Sequence, residues 1–265
     1  MMTELPAQTQ RQWRTQWRLP ASVQRVEWVS DVHLCADMPH TAAAFTRYLA
    51  HTRADVVCLL GDLFEAWVGD DALEQRPFER DIVHALARLA QRAQLGVMCG
   101  NRDFLLGDGF LTACGAVGLA DPCCIEAFGD RVLATHGDAL CLADHAYQQV
   151  RKVVRSPAWQ AAFLARPLPE RLALAQQLRA QSQAEQAKLT PQDYADVDPT
   201  EAAVWLRQAG CVRLIHGHTH RPASSDWREV LSDWDLEPPG PARASVLRWT
   251  AQGFSRHTLD EFSPV

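Results

Sequence analysis

The sequence lacks any uninterrupted apolar run approaching the roughly 18 residues that a membrane-spanning helix requires. Residues 1–18 also lack the apolar core of a signal peptide, and we therefore expect a cytoplasmic protein. The eight cysteines form no C-x-x-C pairs at the spacing of a zinc site, so we expect reduced, mostly buried thiols. Excess positive charge is lacking too, and the net charge of −6 argues against a general nucleic-acid-binding protein.

The composition that is present, with 47% hydrophobic residues in a chain of 265, suffices for a sizeable folded core. Strands are predicted at 23–30, 55–60 and 96–99, with amphipathic helices at 40–53 and 76–94 between them. The second strand is apolar throughout, which is typical of a parallel strand covered on both faces. This alternation predicts parallel crossovers and therefore an α/β fold.

The pattern changes after residue 121, where the sequence predicts a β-hairpin, a long helical stretch and further strands. The hairpin pairs 124–128 with 131–135, the helical stretch covers 144–188, another helix begins near Pro199, and later strands lie at 212–215, 245–250 and 254–259. Residues 144–188 contain seven basic and three acidic residues, a net charge of +4 within an acidic chain. This reversal predicts an inserted helical cap over 141–197, on a core formed by 23–140 and 198–265.

The first 22 residues form a separate segment, in which Trp13 and Trp17 lie among arginines and prolines. Such a composition favours a basic, flexible tail. The alternative is a basic-aromatic segment that contacts an anionic membrane surface. From the residues themselves, both interpretations of this segment stay open.

Polar side chains follow five of the predicted strands, at the point where each strand ends. They are Asp31, His33, Asp62, Asn101, His136, His218 and His220. An Asp or Asn in such a position is commonly a helix cap or a turn former, and a single His can belong to the core. Open α/β sheets, however, bind ligands outside the carboxyl ends of their strands. Seven coordinating groups at five strand ends therefore predict one shared site.

The chemistry of these seven groups indicates the ligand. Carboxylate, imidazole and amide groups without a thiolate suit divalent ions such as Mn²⁺, Fe²⁺ or Zn²⁺. His218 and His220 are two residues apart, so an extended backbone would aim both rings at one spot. Seven ligands exceed one tetrahedral site, and a carboxylate such as Asp62 can bridge two ions. Two ions about 3.5–4 Å apart clamp the attacking and leaving oxygens of a phosphoryl displacement, so we predict a two-metal hydrolase.

Longer strings around these residues are Asp31-Val32-His33-Leu34, Gly61-Asp62-Leu63-Phe64-Glu65-Ala66-Trp67 with Gly69-Asp70-Asp71, Gly100-Asn101-Arg102-Asp103-Phe104-Leu105-Leu106-Gly107, His136-Gly137-Asp138 and His216-Gly217-His218-Thr219-His220-Arg221-Pro222. Over about residues 25–223 the chain resembles the calcineurin-like metallophosphoesterases and, within them, the UDP-2,3-diacylglucosamine pyrophosphatase family of lipid A biosynthesis. The resemblance implies two packed mixed β-sheets flanked by helices, with an inserted helical cap. It also implies hydrolysis of the UDP-lipid at its α-phosphorus, which gives UMP and 2,3-diacylglucosamine 1-phosphate.

The resemblance also assigns metal ligands. It implies that Asp31, His33, Asp62 and His220 hold one ion and that Asp62, Asn101, His136 and His218 hold the second, with Mn²⁺ favoured. The predicted catalytic residues are Asn101, Arg102 and His218. The wider superfamily commonly has a His in place of Arg102, and that His can protonate an alkoxide leaving group. Because Arg keeps its proton, Arg102 favours a phosphate leaving group, although an ordinary surface Arg is the alternative.

The resemblance further implies that Asn101, Arg102, Asp144, Tyr147, Arg179, Ser182 and Lys188 contact the substrate, with Lys188 aligned only after a shift of about one residue. Apolar cap residues either line a slot for the acyl chains or form the core of the cap; these are Trp159, Phe163, Leu164, Leu168, Leu172 and Leu174. A basic, amphipathic cap beside the tail predicts peripheral docking on the cytoplasmic face of the inner membrane.

Two other functions stay open. One is a soluble nucleotide phosphodiesterase or pyrophosphatase on the same fold, against which the basic, apolar cap and Arg102 both count. The other is a non-catalytic scaffold that uses the fold as a binding surface. A scaffold is expected to lose metal ligands, whereas this sequence has all seven.

Overall fold

The computed structural model describes residues 13–186 and 195–262. Its strands are β1 (Arg14–Arg18), β2 (Val26–Val29), β3 (Val56–Leu60), β4 (Gln94–Met98), β5 (Val117–Ala127), β6 (Asp130–Thr135), β7 (Arg213–His216), β8 (Ala223–Ser224), β9 (Arg228–Val230), β10 (Val246–Thr250) and β11 (Gly253–His257). Its helices are α1 (Pro39–His51), α2 (Pro77–Ala90), α3 (Asp108–Cys114), α4 (His145–Val154), α5 (Pro157–Leu164), α6 (Leu168–Gln186) and α7 (Pro199–Ala209).

The strands form one mixed sheet in the order β11-β10-β2-β3-β4-β5-β6-β7-β9-β8, and β1 pairs with β5 outside this path. Strands β2, β3 and β4 are parallel, and α1 and α2 are the crossovers between them. Strands β2 and β3 are buried over their whole length, because α1 and α2 pack on one face and the rest of the sheet packs on the other. The predicted α/β class is confirmed.

Strand β5 joins the two halves of the sheet, because it changes its partner along its length. Residues 117–119 pair with β4, whereas residues 123–127 pair with β6. The halves pack face to face, and one buried apolar cluster contains Trp28 and Met98 from one half with Ile125 and Ile215 from the other. The two layers expected from the sequence are therefore present, but β5 connects them into a single hydrogen-bonded sheet instead of two separate ones.

Helices α4–α6 lie between β6 and α7 in the chain. Phe163 of α5 belongs to the same buried cluster as α1 and α2, and four of the predicted slot residues pack partly buried against this cluster: Trp159, Leu168, Leu172 and Leu174. Leu164 is exposed. The division of the chain into core and cap stays a prediction, with residues 187–194 outside the described ranges. Within 13–186 and 195–262, no helix is both long enough and apolar enough to cross a lipid bilayer.

The N-terminal segment differs from its prediction. Residues 1–12 lie outside the described residues, but Arg14–Arg18 form β1, which runs parallel to β5. Trp17 is 3% exposed, and a Cβ on Gly96 of β4 would come within 2.6 Å of its ring. The expectation of a flexible tail over 1–22 is therefore wrong for this stretch. A glycine in a distant strand leaves space for the indole, and composition alone does not reveal such a contact.

We expect Trp17→Ala to lower the free energy of unfolding by about 3–5 kcal/mol, because it empties a buried space against β4 and β5. Denaturant unfolding of the full chain, followed by circular dichroism, measures the change. Gln16→Ala is the matched control, since Gln16 is exposed on the same strand, and its effect should stay within about 0.5 kcal/mol. Identical unfolding curves for the Trp17 variant and the unchanged protein would contradict the packing of β1.

Candidate metal centre

The seven predicted side chains lie in the turns that follow β2, β3, β4, β6 and β7. Five of them have a left-handed backbone conformation: Asp31 (φ 54°), His33 (φ 52°), Asp62 (φ 50°), His218 (φ 64°) and His220 (φ 52°). For residues with a Cβ this conformation costs of order 1–3 kcal/mol each, and it persists only where the surrounding structure enforces it. Such a concentration of strained turns is typical of a functional site.

Asp31, His33 and His220 form the first group of possible ligands, and their donor atoms all lie within 4.8 Å of one another. His220 Nε2 lies 3.4 Å from Asp31 Oδ1, and His33 Nε2 lies 4.0 Å from the same oxygen. The two Nε2 atoms are 3.3 Å apart. Asp31 Oδ1 is buried and makes no hydrogen bond within the described part of the chain. A bare carboxylate oxygen facing two ring nitrogens fits a divalent cation.

Asp31, Asp62 and His136 form the second group, again with donor atoms within 4.8 Å. His136 Nε2 lies 3.7 Å from Asp62 Oδ2, and His33 Nε2 lies 3.9 Å from that oxygen. Asp31 belongs to both groups, and Asp62 Oδ2 lies near a ring nitrogen of each, so both carboxylates join the two groups. The arrangement suits two neighbouring ions held in part by common ligands.

Asn101 connects His218 to the second group. Its Oδ1 atom lies 2.8 Å from His136 Nε2 and 2.9 Å from His218 Nδ1. His220, by contrast, faces Asp31. The expectation that an extended backbone aims His218 and His220 at one spot is wrong, because both residues have left-handed backbones and their rings lie in different groups.

Three of the histidines have their Nδ1 atoms beside an oxygen outside the ligand set. His136 Nδ1 donates to the Leu60 carbonyl over 2.9 Å. His33 Nδ1 lies 3.2 Å from Glu65 Oε2, and His220 Nδ1 lies 3.8 Å from Asp233 Oδ2. Such outer partners fix the orientation and tautomer of a metal-binding imidazole and leave its Nε2 free for the ion.

Charge and burial oppose each other at these groups. Burial would raise the pKa of Asp31, but the contact with the His220 ring, 3.4 Å from Oδ1, holds it well below its usual range. Burial would lower the pKa of His136, but the neighbouring carboxylates, with Asp62 foremost, raise it to about 9. Burial, with the charge of His136, lowers the pKa of His218 to about 4. The ionised Asp31 carboxylate therefore shares the centre with a protonated His136 ring and a neutral His218 ring.

Glycine allows two of the turns to touch. A Cβ on Gly61 would lie 2.6 Å from the Gly100 backbone, and a Cβ on Gly100 would lie 2.1 Å from Asp62 Oδ1. The buried Asp103 carboxylate joins the same turns, since it accepts hydrogen bonds from Gly100 N–H (2.7 Å) and Leu63 N–H (2.8 Å). Two residues in the sequence indicate this contact: Gly61, which precedes Asp62, and Asp103, which lies two residues after Asn101.

Glu65 is a residue of the centre that the sequence patterns did not single out. Its carboxylate lies 3.2 Å from His33 Nδ1, 2.9 Å from Arg179 Nε and 3.8 Å from Arg102 Nη1. Burial would raise its pKa, but the contact with His33 and the charges of the two arginines lower it. Both predicted arginines therefore lie beside the first ligand group, connected to it by a carboxylate three residues after Asp62.

The other predicted substrate residues have different positions. Tyr147 donates its hydroxyl hydrogen bond to Asp138, and its ring centroid lies 5.9 Å from that of His218. Asp144 is the N-cap of α4, where its carboxylate accepts from Tyr147 N–H over 3.0 Å. Ser182 lies in α6, but its side chain is outside the described part, and Lys188 is outside it altogether. Tyr147 thus lies beside the centre, while Asp144 has a local capping contact.

The chain is similar in sequence to several proteins that share one name. No family model matches the chain. A UDP-2,3-diacylglucosamine hydrolase from Aeromonas hydrophila is 44% identical over 218 residues, which cover 78% of this chain and 89% of that relative. The protein of the same name from Chromobacterium violaceum is 46% identical over 217 residues, covering 79% and 90%. Among solved structures, an archaeal phosphodiesterase has a TM-score of 0.44 at 11% identity, covering 88% of this chain and 98% of that one.

Identity at this level extends over most of both chains and is not confined to the polar side chains of the site. It therefore indicates common ancestry. The Bordetella pertussis hydrolase of the same name extends the match to 230 residues at 44% identity, covering 82% of this chain and 88% of the relative. The resemblance found in the sequence is thereby confirmed: the chain belongs to the UDP-2,3-diacylglucosamine hydrolase family.

Proposed function

We propose that the protein hydrolyses the pyrophosphate of UDP-2,3-diacylglucosamine at its α-phosphorus and releases UMP and 2,3-diacylglucosamine 1-phosphate. The name shared by its relatives supports this substrate. The observation that carries the chemistry is the buried Asp31 Oδ1 atom, which faces the Nε2 atoms of His33 and His220 without a hydrogen bond in the described ranges. An oxygen and nitrogen donor set of this kind favours cation-assisted phosphoryl chemistry.

The proposal includes two divalent ions, with Mn²⁺ as the ion in both positions. Asp31, His33, Asp62 and His220 would hold one ion, and Asp62, Asn101, His136 and His218 would hold the other. The distances from Asp62 Oδ2 to His136 Nε2 (3.7 Å) and to His33 Nε2 (3.9 Å) support Asp62 as the common ligand. When bound, such ions supply a water molecule with a lowered pKa and neutralise charge on the phosphoryl oxygens.

The protein's own residues keep the site ready for that reaction. Asn101 Oδ1 lies between the rings of His136 and His218, and this contact fixes the orientation of its amide. Because the pKa of His218 is about 4, its ring stays neutral near pH 7 and keeps a nitrogen lone pair for an ion. In our proposal Asn101 and His218 also orient the reacting phosphate.

Arg102 binds the phosphoryl oxygens. Its backbone N–H donates to Asp62 Oδ1 over 2.7 Å, and its guanidinium lies 3.8 Å from Glu65. Contacts of both its backbone and its side chain therefore hold Arg102 beside the predicted metal ligands. A guanidinium stabilises the charge that develops on a phosphate and does not protonate the leaving group. The sugar phosphate needs no proton to leave, which makes a pyrophosphate the better substrate.

The remaining substrate contacts belong to the helices after β6. In the proposal Asp144, Tyr147, Arg179, Ser182 and Lys188 bind the glucosamine 1-phosphate portion. The position of Arg179, 2.9 Å from Glu65 and half-exposed, supports a role in binding an anionic group at the opening of the site. Tyr147 would have to exchange its hydrogen bond with Asp138 for one with the substrate.

A lipid substrate also requires access to a membrane, and we propose peripheral docking on the cytoplasmic face of the inner membrane. Leu142, Val150 and Val153, before and within α4, are 39%, 53% and 56% exposed. Exposed apolar side chains among basic residues favour contact with an anionic lipid surface. The net charge of −6 gives no support to a nucleic-acid partner.

In ¹⁸O-labelled water with Mn²⁺ and UDP-2,3-diacylglucosamine, the purified protein should release UMP that carries the label. Attack at the α-phosphorus places the water oxygen on the UMP phosphate, and mass spectrometry of both products measures where it went. Label on 2,3-diacylglucosamine 1-phosphate would contradict α attack, and uncleaved substrate would contradict the proposed activity. Unlabelled UMP incubated with the protein in the same water controls for exchange.

Replacing Arg102 by His should change the preferred leaving group. We expect Arg102→His to lower the rate on the UDP-lipid by about 10- to 100-fold, through loss of a charged contact, and to raise the rate on an alkyl phosphomonoester. Steady-state assays on both substrates measure the change. Arg166→His, at an exposed position, is the control and should leave both rates as they are. If both activities of the Arg102 variant also stay unchanged, this account of Arg102 fails.

Binding of Mn²⁺ should release protons and strengthen as the pH rises. With a pKa of about 9, His136 is protonated at neutral pH and must lose its proton before Nε2 can bind an ion, so a falling pH weakens binding. Calorimetric titration at about pH 6.5, 7.5 and 8.5, in buffers of different ionisation enthalpy, measures both effects. The exposed control His84→Asn should behave like the unchanged protein. Affinity independent of pH over this range would refute the role of His136.

A further inference from the structure

Helix α4 is attached to the metal centre almost entirely by polar contacts. Within the described part of the chain, none of its residues is fully buried. Its contacts converge on Asp138, which is completely buried two residues after His136. Tyr147 donates to the Asp138 carboxylate, Arg151 Nε donates to it over 2.8 Å, and Gln148 donates to the Asp138 carbonyl over 2.7 Å.

Arg155, at the C-terminal end of α4, reaches past Asp138 to a second turn of the centre. Its Nη2 atom donates to the Gly100 carbonyl over 2.8 Å and lies 3.9 Å from Asp138 Oδ2. Its guanidinium also lies over the Phe104 ring, 5.5 Å from the ring centroid. One side chain of α4 thus contacts the turn that carries His136 and the turn that carries Asn101.

Both backbone polar groups of Gly100 are hydrogen-bonded to side chains. Its N–H donates to the buried Asp103 over 2.7 Å, and its carbonyl accepts from Arg155. Asn101 follows directly, and its Oδ1 atom must lie within hydrogen-bonding distance of both His136 and His218. A rotation of the Gly100–Asn101 peptide would displace that oxygen. Arg155 restrains this peptide through its carbonyl. The peptides before and after it are held by Asp103 and, through Arg102 N–H, by Asp62 Oδ1.

We propose that Arg155 is a positioning residue, which acts through the Gly100 carbonyl to place the Asn101 amide between the two histidine rings. The inference rests on the proposed hydrolysis of a phosphoanhydride at this centre. It assigns α4 a role beyond substrate contact, because the helix that carries Tyr147 also restrains a predicted ligand. Displacement of a reacting group by about 1 Å can cost on the order of 100-fold in rate, so a restraint of this kind affects turnover more than binding.

Kinetic analysis of Arg155→Met, Arg155→Lys and Arg80→Met on the UDP-lipid tests the proposal. We expect Arg155→Met to lower kcat by about 10- to 100-fold with KM within about twofold, since the substrate contacts proposed for Arg102, Tyr147 and Arg179 persist. Arg155→Lys should recover part of kcat, because an ammonium group can still donate to the Gly100 carbonyl. Arg80→Met removes a positive charge from an exposed position on α2, outside the proposed membrane contact, and should behave like the unchanged protein.

Amide hydrogen exchange of residues 100–103 supplies a measurement that needs no turnover. Exchange should accelerate at these residues in Arg155→Met, and Arg80→Met should leave it unchanged. An unchanged kcat, or a raised KM with kcat unchanged, overturns the proposal, as does a loss of rate explained by unfolding. Should the unchanged protein fail to hydrolyse the UDP-lipid, the proposed function falls, whereas the exchange result still decides whether Arg155 restrains the Asn101 turn.

Discussion

The burial of Asp31 and Asp62 among imidazole rings is the constraint on which the site depends. A buried carboxylate without compensation costs several kcal/mol, and the ring nitrogens of His33, His136 and His220 provide that compensation here. The rings are in turn held on their far sides by groups that take no part in ligation. The charges, rings and outer acceptors therefore stabilise one another, and the site has its shape before a substrate arrives.

The strained turns are the cost of this convergence. A residue that directly follows a strand tends to continue in the strand direction, whereas the metal centre requires ligand atoms from the ends of five strands to converge at one place. Left-handed backbones at Asp31, Asp62 and His218, with glycines where two turns touch, redirect the chain over a single residue. Strands β2, β3 and β7 are buried and hydrogen-bonded to neighbouring strands on both sides. They can therefore stabilise strained backbone conformations in the turns that follow them.

Local patterns in the sequence were sufficient for the parallel strands, their crossover helices and the seven polar residues at the strand ends. They were not sufficient to predict contacts between residues that lie far apart in the sequence. Trp17 is buried because Gly96 leaves room for it, and Glu65 belongs to the centre because Arg179, more than a hundred residues later, pairs with it. His218 and His220 look equivalent in the sequence, but the backbone angles that separate their rings are set by the folded sheet.

Strand β5 has a consequence for how the molecule can come apart. Because residues 117–119 bond to one layer and residues 123–127 bond to the other, neither layer has a complete set of strands without it. Fragments cut within β5 would each expose an unsatisfied strand edge and a large apolar surface. The layers therefore lack independent stability, and we expect a single cooperative folding transition in which the backbone of the metal centre and the sheet form or are lost together.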